Sequence, residues 1–104
     1  MPPADVSLRF DAEVWYWRGP APFYFVSVPD ELCGQIHEVA REVTYGWGMI
    51  PAIVTVGDTT WPTALWPKDG TFVVPLKAWV RKAEGIDEGE PIEVDLVVTP
   101  ANPR

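Results

Sequence analysis

Apolar and polar positions alternate from Leu8 to Trp17, with Leu8, Phe10, Ala12, Val14 and Tyr16 on one side and Arg9, Asp11, Glu13, Trp15 and Trp17 on the other. A period of two marks a strand with one buried face, so this stretch predicts a half-buried strand. Arg18-Gly19-Pro20-Ala21-Pro22 cannot continue a ladder because proline has no N–H to donate. Phe23 to Val28 then resumes an aromatic and β-branched run, and the two segments read as a hairpin. Pro29, Asp30 and Glu31 place a proline and two acids where a helix begins. Leu32, Ile36, Val39, Ala40 and Val43 follow at helical spacing, which predicts a helix from about Asp30 to Thr44.

Gly46 and Gly48 end that helix, and Met49 to Val56 is apolar and branched enough for a buried strand. Gly57-Asp58 signals a tight turn, Thr59 to Trp66 a strand in which Pro62 demands an edge or a bulge, and Pro67-Lys68-Asp69-Gly70 a second turn. Thr71 to Val74 is a short strand. Leu76, Trp79, Val80 and Ala83 share one face of a second helix, which Gly85 stops. Asp87-Glu88-Gly89-Glu90 makes a turn, and Ile92 to Thr99 a last strand with Ile92, Val94, Leu96 and Val98 inward and Glu93 and Asp95 solvated. Pro100 to Arg104 is expected to be loose.

This order repeats. Phe25-Val26-Ser27-Val28-Pro29 leads into the first helix much as Phe72-Val73-Val74-Pro75 leads into the second, with Pro29 and Pro75 as equivalent hinges. One such unit leaves strand edges and an apolar face exposed, whereas two interlocked units can close on each other. The expected fold is therefore mainly β with two short helices: a single-chain barrel of two ββαβ pseudo-repeats, one over residues 8–56 and one over 59–98. The whole chain, 1–104, is expected to be one domain with its barrel core over 8–98.

Composition narrows the function classes. A hydrophobic fraction of 47% and a charged fraction of 22% are those of a globular protein. No run of eighteen apolar residues is present to span a bilayer. Met1-Pro2-Pro3-Ala4-Asp5 lacks the basic and apolar character of a secretory signal, which leads to an expected cytoplasmic location. Cys33 is the sole cysteine, excluding an internal disulfide or a multi-thiolate zinc site, so stability must come from packing. The net charge of −7 opposes nucleic-acid binding, which relies on neutralising phosphates with a basic face.

Three strings carry a resemblance: Trp47-Gly48-Met49-Ile50-Pro51, Thr60 to Pro67 (TWPTALWP), and Pro75 to Ile86 (PLKAWVRKAEGI). Together they make the chain, from about Leu8 to Val98, resemble a bacterial family known as domain-of-unknown-function family 1905. The resemblance implies a double-split β-barrel similar to the AbrB- and MazE-type barrels of transition-state regulators and addiction-module antitoxins. There two chains build the barrel; here one chain would hold both halves. The family brings no established activity and hence no catalytic residues.

Among residues that could carry chemistry, Cys33 and His37 lie four apart on the first helix, the spacing of a thiolate–imidazole pair. Measured from the Leu32, Ile36 and Val43 direction they fall on the flank, where a structural cysteine and an exposed histidine are the simpler expectation. No metal site or cofactor is expected, since His37 is the only histidine and the carboxylates are not at ligand spacing. The acidic run Glu84, Asp87, Glu88, Glu90, Glu93 and Asp95 reads as a turn and a solvated strand face. Lys77, Arg81 and Lys82 form the one basic cluster, and Lys77 and Arg81 share a helical flank that could hold an anion. Trp15, Trp17, Tyr45, Trp47, Trp61 and Trp66 supply more aromatic surface than a small core needs, and alternation sends Trp61 and Trp66 to opposite faces.

The function expected is a non-catalytic binding module with an aromatic groove for a small ligand or a protein partner, its candidate ligand-binding residues being Trp47, Trp61, Trp66, Lys77 and Arg81. The alternatives are an enzyme of unknown reaction, which would bring Cys33, His37 or a buried carboxylate into a deep pocket, and a DNA-binding regulator of the antitoxin type. Two internal repeats remove the need for a swapped dimer, so a monomer is the default and a dimer the alternative.

Overall fold

The computed structural model describes residues 6–19, 23–43 and 49–98, with backbone alone at residues 6 and 37–43. Its elements are β1 (Val6–Glu13), β2 (Trp15–Trp17), β3 (Phe23–Ser27), α1 (Asp30–Val43), β4 (Ile50–Val56), β5 (Thr59–Lys68), β6 (Thr71–Leu76), α2 (Ala78–Glu84) and β7 (Pro91–Val98). The strands form one curled, half-barrel sheet in the order β1-β7-β4-β5-β6-β3-β2, with every neighbouring pair antiparallel.

Two features of the chain produce that curl. The alternating run from Leu8 to Trp17 is broken at Val14, whose N–H donates to the Glu90 carbonyl (3.0 Å) and whose carbonyl accepts from Gly89 N–H (2.7 Å). With both backbone groups held by the turn before β7, the run divides into β1 at one edge of the sheet and β2 at the other. β5 instead passes between partners without a break. Thr59 to Leu65 pair with β4, and Trp66 to Lys68 pair with β6. Pro62, opposite Ile53, lies where the second side of β5 has no strand beside it, the edge environment its missing N–H requires.

The inward face follows the alternation read from the sequence. Leu8, Phe10, Val14, Ala52, Val54, Val56, Val94, Leu96 and Val98 are buried, together with Trp61 and Leu65 of β5 and Phe72, Val74 and Leu76 of β6. Cys33 and Ile36 of α1, Val80 of α2 and Ile86 join them. Outside, Arg9 meets Asp95 directly across β1 and β7, with Nε to Oδ1 at 2.6 Å, and this exposed pair adds little to stability. That contact and the charge of Glu93 raise the Arg9 pKa.

At the β4–β5 turn Gly57 takes a positive φ of 59°, and a Cβ there would collide with the Glu84 carboxylate. Glu84 accepts from Thr59 Oγ1 (2.5 Å) and from Asp58 N–H (3.3 Å), tying the end of α2 to this turn.

Three expectations need correction. Trp79 is 53% exposed and Ala83 is also exposed, so they are not part of the buried face of α2. The helix is only two turns long, and the residues it turns inward continue from Leu76 through Val80. Cys33, expected on the flank of α1, is buried, while Leu32 is only partly so; its thiol lies 3.6 Å from the Val28 carbonyl. Pro75 is not a hinge equivalent to Pro29, because it lies within β6 opposite Phe25. The position before α2 belongs to Lys77, whose carbonyl accepts from Val80 and Arg81 as that of Pro29 accepts from Leu32 and Cys33.

Trp61 is 1% exposed, and its Nε1–H has no hydrogen-bond partner among the described residues. Burial of the ring outweighs the desolvation of one donor, which costs about 1–3 kcal/mol. Trp61→Ala is expected to destabilise the protein by about 3–5 kcal/mol in urea unfolding, and Trp79→Ala by less than about 0.5 kcal/mol.

Candidate functional site: an aromatic trough on the outer sheet face

Residues directly opposite in an antiparallel sheet point to the same side. On the outer side of β2, β3, β6 and β5 this rule brings together Trp15 with Phe25, Trp17 with Phe23, Ser27 with Val73, and Val73 with Trp66. The result is a trough. Phe25 and Val73, each 2% exposed, form its floor on the two middle strands. Trp15 and Trp17 make one wall from β2; Trp66, Pro67 and Lys68 make the other from β5. The open trough offers a volume of about 230 Å³.

The rings are in mutual contact. Trp15 lies 5.1 Å from Phe25 between centroids and Trp66 lies 5.2 Å from Phe25 in an edge-on arrangement, distances typical of favourable aromatic pairs. Phe23 extends the cluster, 5.5 Å from Phe25 and 6.4 Å from Trp66. Trp15 Nε1–H donates to Ser27 Oγ at 3.0 Å, which fixes the plane of that indole. Trp17 folds back over Gly19, where any side chain would collide with its ring. Lys68, the one charged residue of the described lining, is exposed and lies 3.4 Å from Asp69.

A trough of this kind can hold a flat apolar group against Phe25 and Val73 between indole walls. Neighbouring strands are about 4.8 Å apart, so three steps separate the backbones bearing Trp15 and Trp66 by roughly 14 Å. Among the described residues, no acid, base or nucleophile lies in the lining apart from the Lys68 amine. Among the described residues, no group of three or more His, Cys, Asp or Glu side chains is placed to hold a metal. No described helix is long and apolar enough to cross a membrane.

Of the five residues proposed from sequence, four are described, and of these four only Trp66 lines the trough. Trp61 is in the core on the opposite side of β5, and Lys77 stands exposed before α2. Arg81 packs on Tyr24 at the inner side of β3. Trp47 lies outside the described residues, as do Tyr45 and the side chain of His37. Sequence reasoning singled out Trp15 and Trp17 as surplus aromatics but passed over Phe25, which the alternation of β3 places beside them.

A family model described as "Domain of unknown function (DUF1905)" matches residues 10–96. The chain belongs to this family. No curated protein matches it significantly. The DUF1905 match spans all four strands of the trough, from β2 to the end of β6.

Ser27→Ala removes the acceptor of a half-buried indole N–H in this DUF1905 domain and is expected to lower stability by about 0.5–1.5 kcal/mol. Ser27→Thr, which keeps the hydroxyl, is expected to retain most of it. Urea unfolding of the two variants against the parent checks this.

Proposed function

We propose that this domain is a non-catalytic binding module whose outer trough receives a small, flat, largely apolar molecule. The observation that carries the reading is the pair of indole walls, Trp15 and Trp66, facing each other across a buried Phe25–Val73 floor. An apolar cavity of about 150 Å³ suffices for benzene. The trough, at about 230 Å³, matches a molecule of one or two rings. Its lining is aromatic with one charge at the rim, the composition of a ligand pocket more than of an acid–base catalytic centre.

The reading extends to the architecture: a double-split barrel of two pseudo-repeats, acting as a monomer in the cytoplasm. In support, the strand pairings map onto themselves when the halves are exchanged. The β1–β7 pair corresponds to β5–β4, and the β2–β3 pair to the end of β5 with β6. The same exchange takes Asp30, the first residue of α1, to Ala78, the first of α2. It also takes Phe25 to Val73 and Trp15 to Trp66. The trough would then straddle the internal axis, with one wall and half the floor from each repeat.

The test is a ligand-observed NMR screen with one- and two-ring aromatic fragments, followed by titration of the hits. Trp15→Ala and Trp66→Ala are each expected to weaken binding about tenfold or more, which corresponds to about 1.4 kcal/mol. Absence of saturable binding to the folded protein, or equal affinity in the parent and both variants, would exclude the trough as the site.

A further inference from the structure

On the opposite side of β2 and β3, four side chains stack in a row. Tyr16 and Tyr24, directly opposite across the two strands, lie 4.7 Å apart between ring centroids. The Arg18 guanidinium lies over Tyr16 at 5.3 Å, and that of Arg81, from α2, lies over Tyr24 at 3.9 Å. Two cations therefore bracket two phenol rings. Arg81, Tyr16, Phe23, Tyr24 and Ala78 line a cleft of about 340 Å³.

The row places two guanidinium groups on ring faces in an acidic chain. Acidic residues outnumber basic ones, 15 to 8, and among the described residues Arg9 and Lys68 are each paired with carboxylates. Arg18 and Arg81, like the exposed Lys77 and Lys82, have no carboxylate partner among the described residues; unlike those lysines, each rests on a ring face, where the ring quadrupole attracts a guanidinium. Arg81 Nε is sealed from solvent without an acceptor among the described residues, whereas neither Nη atom is among the sealed, unpartnered atoms. An end-on approach through the two Nη atoms is thus the geometry left for an anion that presents two oxygens side by side, in the paired mode guanidinium favours for carboxylate and phosphate.

We infer that this cleft is a second binding site, for a small molecule that joins an oxyanion, carboxylate or phosphate, to an aromatic ring. The oxyanion sits on Arg81 and the ring against Tyr16 and Tyr24, with Arg18 adding positive potential at the far end. This site is distinct from the trough, because the described linings of the two have no residue in common.

Calorimetric titration with phenyl phosphate, benzoate and inorganic phosphate tests the assignment. Both ring-bearing probes are expected to bind saturably, and inorganic phosphate at least tenfold more weakly than phenyl phosphate. Arg81→Gln is expected to weaken both aryl probes at least tenfold, and Arg18→Gln, a change at an exposed residue, about threefold. Trp66→Ala, in the trough, is expected to leave them unchanged. Binding of phenyl phosphate alone or benzoate alone, with loss in Arg81→Gln, supports the site and identifies its preferred oxyanion. The site is overturned if neither aryl probe binds the folded protein, or if Arg81→Gln and Arg18→Gln both bind like the parent. Inorganic phosphate binding as tightly as phenyl phosphate, or loss of aryl binding in Trp66→Ala, overturns it equally.

Discussion

The structure turns on β5, a ten-residue strand that must hydrogen-bond to two different neighbours in succession. A strand that leaves one partner and joins another bends the sheet, and alternation continues through the bend, so every residue keeps the side set by its position. Trp61 thereby faces the core and Trp66 the outside, five residues later in the same strand. At the other end of the sheet order, the break at Val14 does the same work with β1 and β2. Both indole walls of the trough therefore stand just beyond the point where a chain segment leaves one half of the sheet for the other.

This arrangement explains why aromatic residues occupy both sides of the β2–β3 ribbon. One side carries Trp15, Trp17, Phe23 and Phe25; the other carries Tyr16 and Tyr24 with arginines at each end. β2 is an edge strand of only three residues, with limited backbone pairing to hold it. Ring contacts on both faces, and the Trp15 to Ser27 hydrogen bond, supply the attachment that a short ladder lacks. The same rings leave clefts of contrasting character, one nearly uncharged and one cationic.

Much of this was legible in the residues. Period-two alternation placed Leu8, Phe10, Val94, Leu96 and Val98 inward, the Gly57-Asp58 turn joins β4 and β5, and Asp30 starts α1. The family resemblance read from the central and C-terminal strings agrees with the match over residues 10–96. What alternation could not supply was the end of a ladder. Nothing in Leu8 to Trp17 announces that Val14 spends its backbone bonds on Gly89 and Glu90, because those partners lie some 75 residues away. Helical spacing failed at Trp79 for a related reason: a seven-residue helix shows too little of a face to rank, and which residues turn inward is decided by where β6 delivers the chain. The site set of Trp47, Trp61, Trp66, Lys77 and Arg81 was chosen by residue type, whereas Phe25 and Trp15 join Trp66 only through pairings across three strand boundaries.

The indole N–H signals of ¹⁵N-labelled protein, followed during titration with an aromatic fragment that binds, distinguish a trough walled by Trp15 and Trp66 from a site at the core residue Trp61. The Trp15 and Trp66 signals are expected to move together along one saturation curve, with Trp61 stationary. Movement of Trp61 while Trp15 and Trp66 stay fixed would contradict the trough and place the ligand in the core.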